Sequence, residues 1–267
     1  MNMQKRTTRS FDGVSISYSV SGTADTAIVF IHGGLADRSF WDGQHGPFAD
    51  RFRVVALDLA GHGESGHDRP EWGILPFARD VVAVMDAESV PNVILIGNSL
   101  GGPVAIEAAL LAGARALGVV GVDTFQDIGL QIDPTYFRAQ AEAWRQDYNA
   151  KLDEMLRVLF HPDADPSLVA DVRLRMSKTP VDVVSPMFES FAGYDTGVSA
   201  CQLRIPVRSI NGDRFPTDIA TIRTVIADFD AVVLPHIGHY PMLECPEEFN
   251  GRLAEVVTFM AGRTRRP

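Results

Sequence analysis

The run Ala27-Ile28-Val29-Phe30-Ile31 is apolar at every position, and Val54-Val55-Ala56-Leu57 and Val93-Ile94-Leu95-Ile96 repeat the pattern. A strand open to water on one face alternates apolar with polar residues, so uninterrupted runs of this length are strands covered on both faces. Further strand-like runs lie at 117–122, 207–210 and 231–234, and Val14 to Val20 alternates as a half-buried strand does. Helix-like segments at 39–49, 74–88, 100–112, 217–227 and 246–261 separate them. Strands alternating with helices require a mostly parallel sheet flanked by helices, the α/β class.

Residues 125–200 break the rhythm. They are helical in pattern over 136–160 and 167–176 and hold no buried-strand run. The expected organisation is a core domain built from 1–124 and 201–267, with 125–200 as a helical cap over one edge of the sheet.

The 267 residues are 46% hydrophobic, enough for a well-filled core, and 34 Asp and Glu outnumber 24 Lys and Arg. A net charge of −10 repels phosphate backbones, which excludes nucleic acid as an expected partner. The basic cluster Arg263, Arg265, Arg266 sits at the C-terminus and reads as a solvated tail. Residues 1–10 are polar and basic with no apolar h-region behind them, and no run is long enough to span a membrane. The expectation is a cytoplasmic protein without a membrane partner. Cys201 and Cys245 have no metal-like spacing and read as reduced, buried thiols. Monomer and homodimer are both open.

Gly97-Asn98-Ser99-Leu100-Gly101 follows one of the buried strands directly and opens an Ala-rich helix. G-x-S-x-G between strand and helix is the nucleophile elbow. The chain reverses so sharply that side chains at the two glycines would strike the neighbouring strand and helix. The serine is left in a strained conformation with its hydroxyl clear of the sheet, at a helix N-terminus that favours negative charge.

Three other stretches fit the same pattern: His32-Gly33-Gly34-Leu35 after the first buried strand, Asp58-Leu59-Ala60-Gly61-His62-Gly63-Glu64-Ser65, and Gly238-His239 followed by Met242-Leu243-Glu244 and Pro246. Together with the elbow they make the chain resemble the α/β-hydrolase superfamily over nearly its whole length outside the insertion. The resemblance implies an eight-stranded, mostly parallel sheet and a serine hydrolase of esterase type, needing no cofactor or metal and acting on a small molecule.

A serine hydroxyl needs an imidazole to take its proton during attack. Of seven histidines, His239 is last in the chain and stands where the superfamily places its base. His32 would hold the oxyanion loop. His45, His67 and His161 read as solvated, and His62 and His236 as structural. The acid that orients the imidazole is placed by the resemblance at Asp213, after the run 207–210, although the family spacing is closer to G-x-x-D. Asp123, at the end of the run 117–122, is the alternative acid, and Asp218 reads as a helix cap. Oxyanion donors are expected from the Leu100 and Gly34 N–H groups.

Gly61-His62-Gly63-Glu64-Ser65-Gly66 is formally a dinucleotide fingerprint, but His67-Asp68-Arg69-Pro70 continues as loop where that fold needs a helix. Ser at position 99 also disfavours chemistries that need an Asp nucleophile. Ester cleavage is the leading reading. Lactone or carbon–carbon bond hydrolysis with the same triad, and a non-catalytic small-molecule receptor on the same fold, are the alternatives. Phe125, Tyr136, Trp144, Phe160, Met187, Phe188 and Phe191 are candidate pocket residues of the cap, at least half of them expected to be packing only.

Overall fold

The computed structural model describes residues 3–126, 128–129 and 132–263. Eight strands form one sheet: β1 (Gln4–Arg9), β2 (Ser15–Ser21), β3 (Thr26–Ile31), β4 (Arg53–Leu57), β5 (Asn92–Asn98), β6 (Ala116–Val122), β7 (Val207–Gly212) and β8 (Phe229–Leu234). Their spatial order is β1-β2-β4-β3-β5-β6-β7-β8, antiparallel through β1, β2 and β4 and parallel from there to β8. The expected fold class is therefore met. Ala27 to Ile31 of β3 have no exposed surface, as an unbroken apolar run in a central strand requires.

Strand β1 was not legible as a strand. Gln-Lys-Arg-Thr-Thr-Arg has no apolar residue to set a period, and as an edge strand it needs none. Its charges guard the open hydrogen-bonding edge.

Core helices α1 (Asp42–Phe48), α2 (Ile74–Ala87) and α3 (Gly101–Ala112) follow β3, β4 and β5. Between β6 and β7 the regular structure of the described chain is helical: α4 (Pro134–Gln146), α5 (Tyr148–Leu159), α6 (Pro166–Met176), α7 (Val181–Ser190) and α8 (Thr196–Ala200). Helix α9 (Ile219–Val225) leads to β8, and α10 (Pro241–Glu244) and α11 (Pro246–Gly262) close the chain. Helix α2 packs on α3 and α1 on α11, the two pairs covering opposite faces of the sheet. No described helix is long and apolar enough to cross a membrane. Arg263 pairs with Asp228 at 2.7 Å, whereas Arg265 and Arg266 lie outside the described residues.

Two expectations are corrected here. Cys201 is exposed rather than buried, and Cys245 is half-buried; both are free thiols. His45 is not solvated: it is 6% exposed in α1, with Nε2 3.1 Å from Ser19 Oγ and Nδ1 2.9 Å from Ser21 Oγ on β2. The insertion of α1 under β2 buries it, which the local sequence does not show. Burial pushes its pKa down from 6.5 to about 4. Below pH 6.5 the unfolded chain takes up a proton that the folded chain refuses until about pH 4. Stability is therefore full above that window and falls through it as pH drops, by up to about 1.4 kcal/mol per pH unit. Buried His62, pushed down to about 3, acts in the same direction. Urea melts between pH 7 and 4 should show His45→Gln with a shallower loss of stability than the wild type; an unchanged slope would rule His45 out as a source.

Candidate active site

The site lies at the carboxyl ends of the parallel strands, where open α/β sheets bind ligands. Ser99 follows β5 directly with φ +52°. A Cβ at Gly97 would land on the Gly101 carbonyl and one at Gly101 on the Ile31 carbonyl, so the elbow closes only because both positions lack side chains. Leu35, Asp123 and Phe125 also have positive φ (63°, 44° and 74°). With His236 (59°) after β8, five of the six such non-glycine residues among those described gather at this end of the sheet, a concentration of strain typical of functional sites.

His239 is 8% exposed in the turn after β8, and its Nδ1 lies 2.5 Å from Oδ2 of Asp123, itself 2% exposed. The other oxygen of Asp123 accepts the Gly212 N–H at 3.0 Å and Gln126 Nε2 at 2.9 Å. The expectation that Asp213 partners His239 is corrected. Asp213 is exposed, and its Oδ2 accepts the His236 N–H at 2.9 Å, a bond that holds its carboxyl below the usual range. Both acids directly follow strands, β6 and β7, but the β7 end supplies its Gly212 N–H to Asp123 while its own Asp turns back onto the 236 loop. Asp218 caps α9, accepting the Thr221 N–H at 3.1 Å.

The backbone of His239 is held on every side. Its N–H donates to the Leu159 carbonyl at 2.9 Å, and its carbonyl accepts Asn98 Nδ2 at 3.0 Å. The N–H groups of its neighbours Gly238 and Tyr240 both donate to the Glu244 carboxylate at 2.9 Å. Burial pushes the Glu244 carboxyl upward and those two N–H groups oppose it. Asn98, Gln126 and Glu244 had been given no role from sequence. The available signal was a polar residue ending the buried run 93–98, and a Glu at fixed distance after the histidine.

His32 is fully buried, and burial pushes its pKa down. Its Nε2 accepts the Leu59 N–H at 3.0 Å and its Nδ1 lies 2.7 Å from the Gly33 carbonyl, which assigns the proton of the neutral ring to Nδ1. The ring thus ties the 32–35 loop to the turn after β4. That turn runs to α2 without the helix a dinucleotide fingerprint needs.

A cavity of about 790 Å³ is lined by Ser99, Leu100, Asp123 and His239, with Pro103, Ile128, Ile132, Phe137, Phe191 and Phe215 among its apolar walls. Gly34 does not line it: Met187 of α7 lies over Gly34, where an added Cβ would meet the Met187 Cε at 3.2 Å.

The sequence profile of the alpha/beta hydrolase family matches residues 28–252. The chain belongs to the alpha/beta hydrolase family. Relatives of this alpha/beta hydrolase include an uncharacterized protein of Mycobacterium tuberculosis, 36% identical over 104 residues, a match covering 38% of this chain and 29% of the relative's length. It is also similar to the pimeloyl-[acyl-carrier protein] methyl ester esterase of Nitrosospira multiformis, 24% identical over 87% of this chain and 93% of that protein. Its fold superimposes on a thermophilic esterase from Thermogutta terrifontis with a TM-score of 0.84 at 24% identity, covering 97% of this chain and 99% of that one.

In this alpha/beta hydrolase the candidate aromatic pocket is mostly packing. Phe125, Trp144, Phe160 and Met187 are buried, Phe188 stacks on Trp144 at 5.7 Å, and Tyr136 is exposed. Of the seven only Phe191 lines the cavity, with Phe137 as an unanticipated neighbour. Among the described residues no cluster of His, Cys, Asp and Glu is arranged to hold a metal ion.

Proposed function

We propose that the protein is a serine hydrolase cleaving carboxylic esters, with Ser99 as nucleophile, His239 as base and Asp123 as acid. The observation that carries this is the 2.5 Å contact between Asp123 and His239 in the wall of a cavity that Ser99 shares. Ser99 Oγ attacks the ester carbonyl carbon as its proton passes to His239 Nε2, and Asp123 stabilises the imidazolium. The oxyanion is held by the Leu100 N–H at the start of α3 and by the Gly34 N–H, which Met187 must uncover. Collapse breaks the carbon–oxygen bond, and the alcohol leaves with the proton from His239. Water then attacks the acyl-Ser99 ester, giving a proton to His239, and the acid departs as that proton returns to Ser99. Residues 125–200 act as the cap that shapes the acyl or alcohol site, and the protein works without a cofactor.

The test is a fluorophosphonate probe with peptide mapping, alongside turnover of aryl esters, lactones and β-diketones. The expected result is stoichiometric label on Ser99, none on Ser99→Ala, and hydrolysis of the esters. Absence of both label and turnover would leave the receptor reading in its place. Turnover of the diketones alone would point to carbon–carbon bond cleavage.

A further inference from the structure

The walls of the cavity carry an unusual charge pattern for a chain with 24 Lys and Arg. The acidic side chains lining it are Asp123 and Asp195. Among the described lining residues there is no Lys or Arg. Of the described lining residues, those from 123–137 include Asp123 and those from 191–197 include Asp195, and neither group holds a basic residue. Arg138 and Arg214 adjoin lining residues in sequence but do not line the cavity, and Arg214 Nε donates instead to the Val158 carbonyl at 3.1 Å.

Asp195 sits at the mouth, exposed, its Oδ1 accepting the Gly197 N–H at 2.8 Å as the cap of α8. Among the described residues it makes no salt bridge. The rim also has an apolar part: Ile132 lines the cavity and is 40% exposed. A volume near 790 Å³ is in the upper part of the range for sites that enclose drug-sized ligands.

Resting on the ester-hydrolase reading above, we propose that this site is selective by charge: it takes uncharged esters and lactones with a sizeable apolar acyl or alcohol part, and turns away esters that carry a second, free carboxylate. A carboxylate entering this cavity gives up water without gaining a cation, and meets a cleft of its own sign whose low-dielectric walls concentrate the repulsion. An uncharged chain of the same length loses nothing and buries apolar surface. The acidic wall thus acts as the excluding element and the apolar rim as the attracting one.

The experiment compares mono-4-nitrophenyl adipate, a free acid at its far end, with the same ester methyl-capped there. At low ionic strength kcat/KM is expected to favour the capped ester by about tenfold or more, and the ratio should contract as salt is raised. Ile132→Arg puts a cation on the exposed rim and Asp195→Asn removes a charge while keeping the cap; each should move the ratio toward one. A wild-type ratio near one with Ser99 still labelled by fluorophosphonate overturns the charge selectivity and leaves the hydrolase reading standing. A large ratio that responds neither to salt nor to either variant overturns charge as its cause. Absence of both label and turnover sinks the hydrolase reading, and this inference with it.

Discussion

Asp123→Asn is expected to lower kcat about 10⁴-fold, while Asp213→Asn changes it by no more than about twofold. The asymmetry follows from what each carboxylate touches. One oxygen of Asp123 faces two donors, the Gly212 N–H and the Gln126 amide, and the other faces His239 Nδ1. An asparagine in this place turns its carbonyl oxygen to the two donors, which forces its NH₂ toward the imidazole. His239 must then accept at Nδ1 and carry its proton on Nε2, the wrong tautomer for taking a proton from Ser99. Asp213 holds only the backbone of His236, on the exposed side of the same loop. Steady-state kinetics on a 4-nitrophenyl ester, with circular dichroism to show both variants folded, decides between them. The reverse pattern, with Asp213→Asn inactive and Asp123→Asn near wild type, would refute the assignment.

The second large effect concerns stability. Arg69 and Asp80 have fully buried side chains and meet in two hydrogen bonds, Nη2 to Oδ1 at 2.6 Å and Nη1 to Oδ2 at 2.9 Å. Ser10 Oγ also donates to Asp80, at 2.5 Å, and Arg69 Nε reaches Asp12 at 2.9 Å. The cluster joins three pieces of chain: the turn between β1 and β2, the loop after β4, and α2. Arg69→Ala strands the Asp80 carboxylate in a dry site and is expected to cost about 3–5 kcal/mol. That corresponds to a fall in Tm of about 6–20 °C for a domain of this size. Replacing the pair together by Met and Leu should cost far less, because no buried charge is then left unpaired. Calorimetry or urea melts on the single and double variants test this; a single variant within about 1 kcal/mol of wild type would show the cluster to be dispensable.

How much of this was written in the sequence differs from element to element. Strands β3, β4 and β5 were legible because double burial leaves an unbroken apolar run, which water permits nowhere else in a short segment. Ser99 was legible because its turn is a local steric object: two glycines, a strand before and a helix after. Strand β1 was not, since its partner β2 rather than its own composition makes it a strand. His45 looked solvated for the same reason, because what buries it is β2, more than twenty residues away.

The acid shows the boundary most clearly. Sequence narrowed it to aspartates at the ends of neighbouring strands, Asp123 and Asp213, and the resemblance favoured Asp213, whereas the neighbour of His239 is Asp123. Strand ends are set by local pattern, but the direction in which a side chain leaves them is set by backbone dihedrals such as the +44° of Asp123 and by donors brought from elsewhere in the chain. Asn98 lies beyond that boundary as well, since it reaches His239 only across the closed sheet, whereas Gln126 and Glu244 act on residues of their own loops. By itself the sequence determined the sheet core and the elbow, because hydrophobic periodicity and turn sterics are short-range, and it singled out Ser99 and His239, which line one cavity. Which carboxylate meets the imidazole, and which residues line the cavity, only the tertiary structure decided, because those are long-range contacts between segments with no local signature.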